Sequence, residues 1–229
     1  MGLYVLLPPS EGKSAEPGTG LSFAEALPHG ARCVKPVLKI LRAVPKGERA
    51  KYYGVSTKDK AEAAHKLNLA ALDAPGLPAI ERYTGVVYGF IDQATLRHPD
   101  YAREHLLIVS ALFGLITAGT PIPEYKLSMN PWLAKHWKPI NTARIELLAK
   151  GDAVLSLLPG AHAKAVGYAP LVSVDFKIEG GKKSAGHFGK AIKGKFARFL
   201  MENQIVDVKD IAAFKEDGYV FDGTDFVQR

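Results

Sequence analysis

The sequence contains a single cysteine, Cys33, so an internal disulfide bond is excluded. Its seven histidines show neither an H-E-x-x-H motif nor the Cys/His spacing of a zinc site, and no pattern indicates a metal or another cofactor. No apolar run approaches the roughly 20 residues of a membrane-spanning helix. The short apolar start meets Pro8 and Pro9 too early for the apolar core of a signal peptide. We therefore expect a cytoplasmic protein with no membrane association and no cofactor.

Acidic residues are also missing from one long segment. The chain has 30 Lys and Arg against 23 Asp and Glu, a formal net charge of +7. No acid occurs from Gly180 to Met201, whereas this segment contains Lys182, Lys183, Lys190, Lys193, Lys195 and Arg198. A local excess of cations favours association with a polyanion. The charge alone does not choose among polyanions, and the two functions weighed below make double-stranded DNA or a nucleotide-like anionic ligand the expected partner.

What the sequence has in quantity is apolar residues, 47% of 229, enough to bury one large core. Apolar runs bounded by turn residues predict strands at Leu3–Leu7, Gly85–Phe90, Leu106–Val109, Val154–Leu157 and Leu171–Ile178. Helical spacing predicts helices at Val34–Val44, Thr57–Leu72, Trp132–Leu148 and Phe188–Asn203. The predicted fold is α/β (mixed α+β), a single domain over residues 1–229 with a central mixed sheet and flanking helices.

Two predicted strands are followed at once by polar side chains. The stretch "LLPPSEGKS" presents Ser10, Glu11 and Lys13 after the first strand. Ser110 follows another strand, and "PIPEYKLSM" then supplies Tyr125 and Lys126. Open α/β sheets carry functional groups on such loops, and a carboxylate beside lysines and tyrosines has the composition of an acid/base site. Glu11, Lys13, Tyr125 and Lys126 are the candidate catalytic residues. The alternatives are a solvated turn and a rigid loop whose tyrosine packs on the core.

The segment from about residue 34 to 72 has no strand pattern and predicts a helical hairpin. In "YGVSTKDK", Gly54 can take a left-handed turn conformation and Ser56 can cap the next helix. The first N–H groups of that helix, with Lys58 in its first turn, could then face a phosphate. The alternative is an ordinary surface helix that begins in the same way.

The basic segment predicts an amphipathic helix. Its apolar stripe consists of Phe188, Ile192, Phe196, Phe199 and Leu200. Lys190, Lys193 and Arg198 would occupy the other side, and Gly194 would leave space for a phosphate near the backbone. The phosphate-binding candidates of the chain are Ser10, Gly54, Ser56, Lys58, Lys190, Lys193, Gly194, Lys195 and Arg198. The alternative is a solvated basic face with an incidental glycine.

Five motifs, in order and spacing, resemble the YaaA family of bacterial peroxide-stress proteins: "LLPPSEGK", "YTGVVY", "SALFGL", "IPEYKLSM" and "HFGKAIKGKFAR". The resemblance implies a compact α/β fold, a helix-hairpin-helix element, a basic cleft, and DNA binding that limits oxidative damage. Its motif positions fall on Ser10, Glu11, Gly12, Lys13, Tyr83, Gly85, Tyr88, Ser110, Gly114, Tyr125, Lys126, Lys190, Gly194 and Arg198, with the hairpin around Gly54.

The chain departs from the family pattern at several positions. Many members have arginine where this chain has Lys126 and Lys193, so a bidentate contact would become a point-charge contact. Many carry an Asn-Leu-Ala-Ser-x-Glu segment where this chain reads "SLLPGA", with Ser156 and Ala161 in place of the asparagine and glutamate. A chemical role for that glutamate would have to pass to Glu11, Glu124 or Asp175.

Two functions follow as hypotheses. The first is a DNA-binding protein of the peroxide-stress response that contacts phosphates through the basic helix and the hairpin. The second is an enzyme that acts on a nucleotide, a nucleobase derivative or a DNA lesion in a cleft built from the SEGK and EYK loops. The second is motivated by Glu11, because a pure phosphate binder has little use for a carboxylate.

Overall fold

The computed structural model describes residues 2–229, and its strands are short and largely apolar. They are β1 (Leu3–Leu7), β2 (Leu77–Pro78), β3 (Leu106–Ser110), β4 (Gly114–Thr117), β5 (Pro121–Ile122), β6 (Ala153–Ser156), β7 (Leu171–Ser173), β8 (Phe176–Lys177), β9 (Tyr219–Phe221) and β10 (Phe226–Gln228).

The central sheet has five strands in the order β4-β3-β1-β6-β7. β1 pairs in parallel with β3 and β6, and β7 continues in parallel from β6, whereas β4 returns antiparallel to β3. Every residue of β3 is buried, as expected for a strand covered on both faces. The prediction of a mixed central sheet with flanking helices is confirmed.

Two small sheets complete the strand content. β8 pairs in parallel with β10, which is antiparallel to β9, and β2 pairs with β5. The single strand predicted over Leu171–Ile178 is therefore wrong, because its halves belong to different sheets. Val174 and Asp175 connect β7 to β8.

Helices flank the central sheet. They are α1 (Phe23–Ala26), α2 (Pro28–Ala43), α3 (Arg49–Tyr53), α4 (Lys58–Ala70), α5 (Ala79–Arg82), α6 (Val86–Ile91), α7 (Pro99–His105), α8 (Pro131–Ala149), α9 (Gly160–Ala163) and α10 (Gly186–Glu202). Short 3-10 turns lie at Lys46–Glu48, Gln93–Thr95 and Val208–Ala213. Within residues 2–229, no helix combines the length and apolar character needed to cross a bilayer.

The strand predicted over Gly85–Phe90 is wrong, because this stretch forms α6. Its valines favour a strand by intrinsic preference. However, the buried residues Val87, Tyr88 and Ile91 lie on one helical face, which packs against α10. Tertiary packing has overridden local preference here.

The helical hairpin is longer than predicted at its start. α2 begins at Pro28, a favourable first helical position for proline, rather than at Val34. Gly54 ends α3 with φ of 63°, so the predicted left-handed turn is confirmed. Thr57, not Ser56, caps α4: its side chain accepts a hydrogen bond from the backbone N–H of Lys60.

Candidate functional site

The functional side chains gather where three neighbouring strands end. β1 ends at Leu7, β3 at Ser110 and β6 at Ser156, and these strands are adjacent and parallel in the order β3-β1-β6. The loops that follow them therefore leave the same edge of the sheet, which is the usual place for a ligand in such a fold.

The SEGK loop is fixed by the segment after α5. The N–H of Ser14 donates to the carbonyl of Arg82 at 2.8 Å, and the N–H of Thr84 donates to the carbonyl of Gly12 at 3.1 Å. The buried guanidinium of Arg82 donates to the carbonyls of Ser14 and Ile122 at 2.6 and 3.2 Å. Arg82 thus ties the SEGK loop to the strand that leads into Tyr125. The sequence analysis did not single out this arginine.

A buried hydroxyl network lies behind the loop. The Tyr125 hydroxyl is 2.7 Å from that of Tyr83 and 2.9 Å from the Ser110 hydroxyl. Ser110 Oγ already accepts from the N–H groups of Leu112 and Phe113, so its own proton is donated to Tyr125. Burial raises the pKa of Tyr125 to about 12, so the phenol stays protonated at neutral pH. The network holds the Tyr125 ring in one orientation.

Lys13 lies over that ring. Its Nζ is 4.1 Å from the ring centre of Tyr125 and donates to the carbonyl of Ser10 at 2.9 Å. Burial, and then the positive charge of Lys126, lower the pKa of Lys13 to about 8 against the opposing charges of Glu124 and Glu11. About a tenth of the amine is therefore neutral at pH 7.

Lys126 is positioned by its backbone. The side chain of Asn68, fully buried on α4, accepts from the N–H of Lys126 at 2.9 Å and donates to its carbonyl at 2.8 Å. The Lys126 ammonium lies 3.7 Å from the Glu11 carboxylate, whose side chain is 85% exposed. The helical hairpin thus contributes to this site through Asn68, a role that the sequence analysis missed.

A histidine that the sequence analysis also missed completes the group. His162 lies on α9, directly after the end of β6, and its Nδ1–H donates to the carbonyl of Val109 at 3.0 Å. Burial lowers the pKa of His162, so the ring is neutral and Nε2 is its unprotonated nitrogen. Its position after a third strand end was the available signal, but the family pattern pointed to Ala161, its exposed neighbour.

These groups line a cavity of about 150 Å³, which we call the small cavity. Its walls are Pro9, Ser10, Glu11, Lys13, Lys126, Leu127, Ser128, Met129 and His162. Within residues 2–229, Glu11 is the one carboxylate in this wall. Three of the four candidate catalytic residues meet here. Tyr125 is the exception, because it is buried beneath Lys13 and does not reach the cavity.

A second space of about 440 Å³, the large cavity, lies on the other side of the same loop. Pro9, Ser10 and Glu11 line both spaces. The large cavity is mainly apolar, with Pro8, Val86, Val87, Tyr88 and Leu157 in its wall, and Lys190 and Lys193 approach it from α10. Its volume is that of a pocket for a small organic ligand.

The expected opening at Gly194 does not exist. A Cβ on this residue would lie 2.4 Å from the carbonyl oxygen of Val87, so Gly194 allows close packing of α10 against α6. Phe188, placed in the buried stripe by its spacing, is 81% exposed, because the helix has only just begun there. Ile192, Phe196 and Leu200 are buried as predicted.

Three of the cations on α10 already have partners. Arg198 donates to the carbonyls of Ile91, Asp92 and Thr95 and to Glu202. Lys195 pairs with Asp217 at 2.8 Å. Lys193 donates to the carbonyl of Leu157 at 3.1 Å, and burial lowers its pKa. Lys190 is exposed at the large cavity.

The hairpin residues lie apart from both cavities. Gly54, Ser56 and Lys58 are exposed, and none of them lines the small or the large cavity. Phosphate binding at these residues and at α10 stays a prediction.

Sequence comparison with known proteins identifies the family of this chain. The sequence profile described as "Peroxide stress protein YaaA" matches residues 3–225. The chain belongs to this family. A UPF0246 protein of Corynebacterium glutamicum (strain R) is 36% identical over 214 residues, 86% of this chain and 84% of the relative. A UPF0246 protein of Streptococcus pneumoniae (strain 70585) is 27% identical over 238 residues, 96% of this chain and 93% of the relative. The family match spans both site loops, the hairpin and α10.

Proposed function

We propose that this protein serves the peroxide-stress response as an enzyme that acts on a small anionic molecule, a nucleotide or nucleobase derivative, at the carboxyl edge of the central sheet. The observation that carries the proposal is the convergence of Glu11, Lys13, Lys126 and His162 on the small cavity. A carboxylate, a neutral imidazole and two lysine side chains therefore line one space, and an acid/base mechanism requires such groups around the reacting atoms of the ligand.

The two cavities suit a ligand with two parts. An apolar ring fits the large cavity, where prolines, valines and Tyr88 form the wall. The reacting group, with its anion, fits the small cavity beside Lys126. Since the loop Pro9–Glu11 borders both, one molecule can contact both spaces across it. Volumes of about 440 and 150 Å³ suit a small molecule, whereas a duplex would have to be bound on an open surface.

The groups in the small cavity suggest distinct roles. The exposed carboxylate of Glu11 exchanges protons with the ligand, and Nε2 of His162 is the second base. Lys126 supplies a point charge for the anion, in keeping with lysine rather than arginine at this position. Tyr125 has an indirect role: its ring packs under Lys13, and its hydroxyl is hydrogen-bonded to Ser110 and Tyr83.

Calorimetric titration with adenosine 5′-monophosphate and guanosine 5′-monophosphate tests this proposal. We expect saturable binding of at least one nucleotide, weakened about tenfold or more by Lys126→Met, because charged hydrogen bonds contribute roughly 1.5–3 kcal/mol. Lys39→Met, on an exposed position of α2, is the matched control and should bind as the unmodified chain does. Absence of nucleotide binding, or equal affinity in the Lys126 variant, would count against the proposal.

DNA binding is the second candidate, favoured by the exposed cations Lys182 and Lys190 in a segment without acids. The turn at Gly54 and the exposed Lys58 would add a helix-hairpin-helix-like contact. Such binding would be electrostatic, so each lost phosphate contact should reduce the slope of log affinity against log salt by about one. Lys182→Met with Lys190→Met should flatten that slope for a 20-base-pair duplex, and an unchanged slope would exclude this surface.

A further inference from the structure

Lys13 differs from the other lysines of the site in its surroundings. Its Nζ lies over the Tyr125 ring at 4.1 Å, is 5.4 Å from the ring centre of Tyr83, and still lines the small cavity. Within residues 2–229 no carboxylate forms an ion pair with it, because the nearby Glu11 pairs with Lys126 instead. The hydrogen bond to the Ser10 carbonyl thus fixes the orientation of the amine, and the Tyr125 ring covers one side of it.

Burial favours a neutral amine at Lys13. Lys126, a second cation in the same cavity wall, adds to this effect, and Glu124 and Glu11 oppose it only in part. His162 is neutral, and the phenols of Tyr83 and Tyr125 keep their protons. A desolvated lysine beside another cation is the arrangement that activates an amine toward carbonyl compounds.

We propose that Lys13 forms a Schiff base with an aldehyde or ketone that carries a phosphate or carboxylate group. The proposal rests on the proposed function and narrows its ligand: an intact nucleotide has no free aldehyde or ketone, so the substrate would be a nucleotide derivative that lacks its base. The open-chain form of a sugar phosphate has this chemistry. The anionic group would pair with Lys126, which places the carbonyl carbon on the open, cavity side of Lys13.

The step balances without an oxidant or reductant. The amine nitrogen forms a bond to the carbonyl carbon, and a proton passes from nitrogen to the carbonyl oxygen to give a carbinolamine. The remaining N–H proton then passes to that hydroxyl, which leaves as water while the C=N bond forms. Glu11 and His162, which share the cavity wall with Lys13, can move these protons.

Borohydride trapping of the full chain tests the proposal. The protein is incubated with ribose 5-phosphate, or with ribose as the neutral counterpart, reduced with sodium cyanoborohydride, and mapped by peptide mass spectrometry. We expect modification at Lys13 about tenfold or more faster at pH 7 than at the exposed Lys39 of the same molecules. This ratio is measured in the unmodified chain, so it does not depend on the folding of a variant.

The role of the anionic group is tested separately. Ribose 5-phosphate should modify Lys13 faster than ribose does, and Lys126→Met should remove that preference and move the pH midpoint of modification upward. Modification of Lys13 no faster than that of Lys39, or equal rates for the two sugars in the unmodified chain, would overturn the proposal. Nucleotide binding without trapping would refute the Schiff base alone, whereas trapping without nucleotide binding would refute the proposed function alone.

Discussion

The small cavity and the basic helix α10 show how differently charge can be used in one chain. On α10, the segment with the strongest charge excess, Arg198, Lys195 and Lys193 are already bound to protein oxygens. In the small cavity only two cations occur, but Lys13 has no carboxylate partner within residues 2–229 and Lys126 lies 3.7 Å from an exposed one. The number of cations in a segment therefore does not measure the charge that is available to a ligand. The hydrogen-bond and ion-pair partners of each cation decide how much charge is available.

The largest expected effect concerns the packing of α10 against α6. Gly194→Ala should lower the free energy of unfolding by about 1–3 kcal/mol, because its Cβ would clash with the Val87 carbonyl between α10 and α6. Chemical denaturation monitored by circular dichroism measures this. Gly160→Ala is the control, because a Cβ on Gly160 would meet no atom within 4 Å, and it should leave stability within about 0.5 kcal/mol. Equal stability of the two variants would mean that α10 and α6 are not packed at Gly194.

The next effect concerns the support of Lys126. Asn68→Ala leaves the part-buried N–H and carbonyl of Lys126 without this partner, which should cost about 1–3 kcal/mol of stability. Nucleotide affinity should fall as well, because Lys126 is no longer fixed. The control is Asn203→Ala, whose side chain makes one exposed hydrogen bond to the Phe199 carbonyl. Unchanged stability and affinity in the Asn68 variant would separate the hairpin from the site.

A smaller effect is expected at the buried phenol. Tyr125→Phe removes a hydroxyl that bonds Ser110 and Tyr83, so stability should fall by about 1 kcal/mol or slightly more. The ring under Lys13 remains, so trapping of ribose 5-phosphate at Lys13 should continue at nearly the original rate. Loss of trapping in this variant would assign the phenol a direct chemical role.

The last effect is the pH dependence that Lys13 contributes. Its pKa in the folded protein, about 8, lies below the ordinary lysine value of 10.5. Between these values the unfolded chain binds more protons, so stability from this group rises with pH from about 8 to 10. The melting temperature of the unmodified chain relative to Lys13→Met should therefore rise over that interval. A constant difference would mean that Lys13 has an ordinary pKa.

Strand ends and helices with clear periodicity could be predicted from the sequence, because burial on one or both faces leaves a pattern in the chain. β1, β3, α4 and α8 lie close to their predicted positions. The apolar run that begins at Gly85 was wrongly predicted as a strand, because its valines favour a strand and its packing against α10 is not visible in the sequence.

The site was predicted in part for a related reason. Glu11 and Lys13 follow the end of β1, and strand order places this end beside the ends of β3 and β6. Lys126 follows β5 of a separate two-stranded sheet, so the order of the central sheet does not position it. Asn68 and Arg82 act through long-range hydrogen bonds to backbone atoms, which no local pattern reveals. Gly194 was misjudged because the sequence does not show which helix lies against it.

Survival of peroxide exposure tests most directly whether function resides in the small cavity or on exposed cations that lie outside both cavities. A strain that lacks the gene for this chain would carry either Glu11→Gln or the pair Lys58→Met and Lys182→Met, each at the level of the unmodified protein. Our account predicts that the Glu11 variant fails to restore survival, because proton transfer by such a group contributes about a hundredfold or more to rate. The double lysine variant should restore it. Full protection by Glu11→Gln together with loss of protection in the double variant would contradict the account.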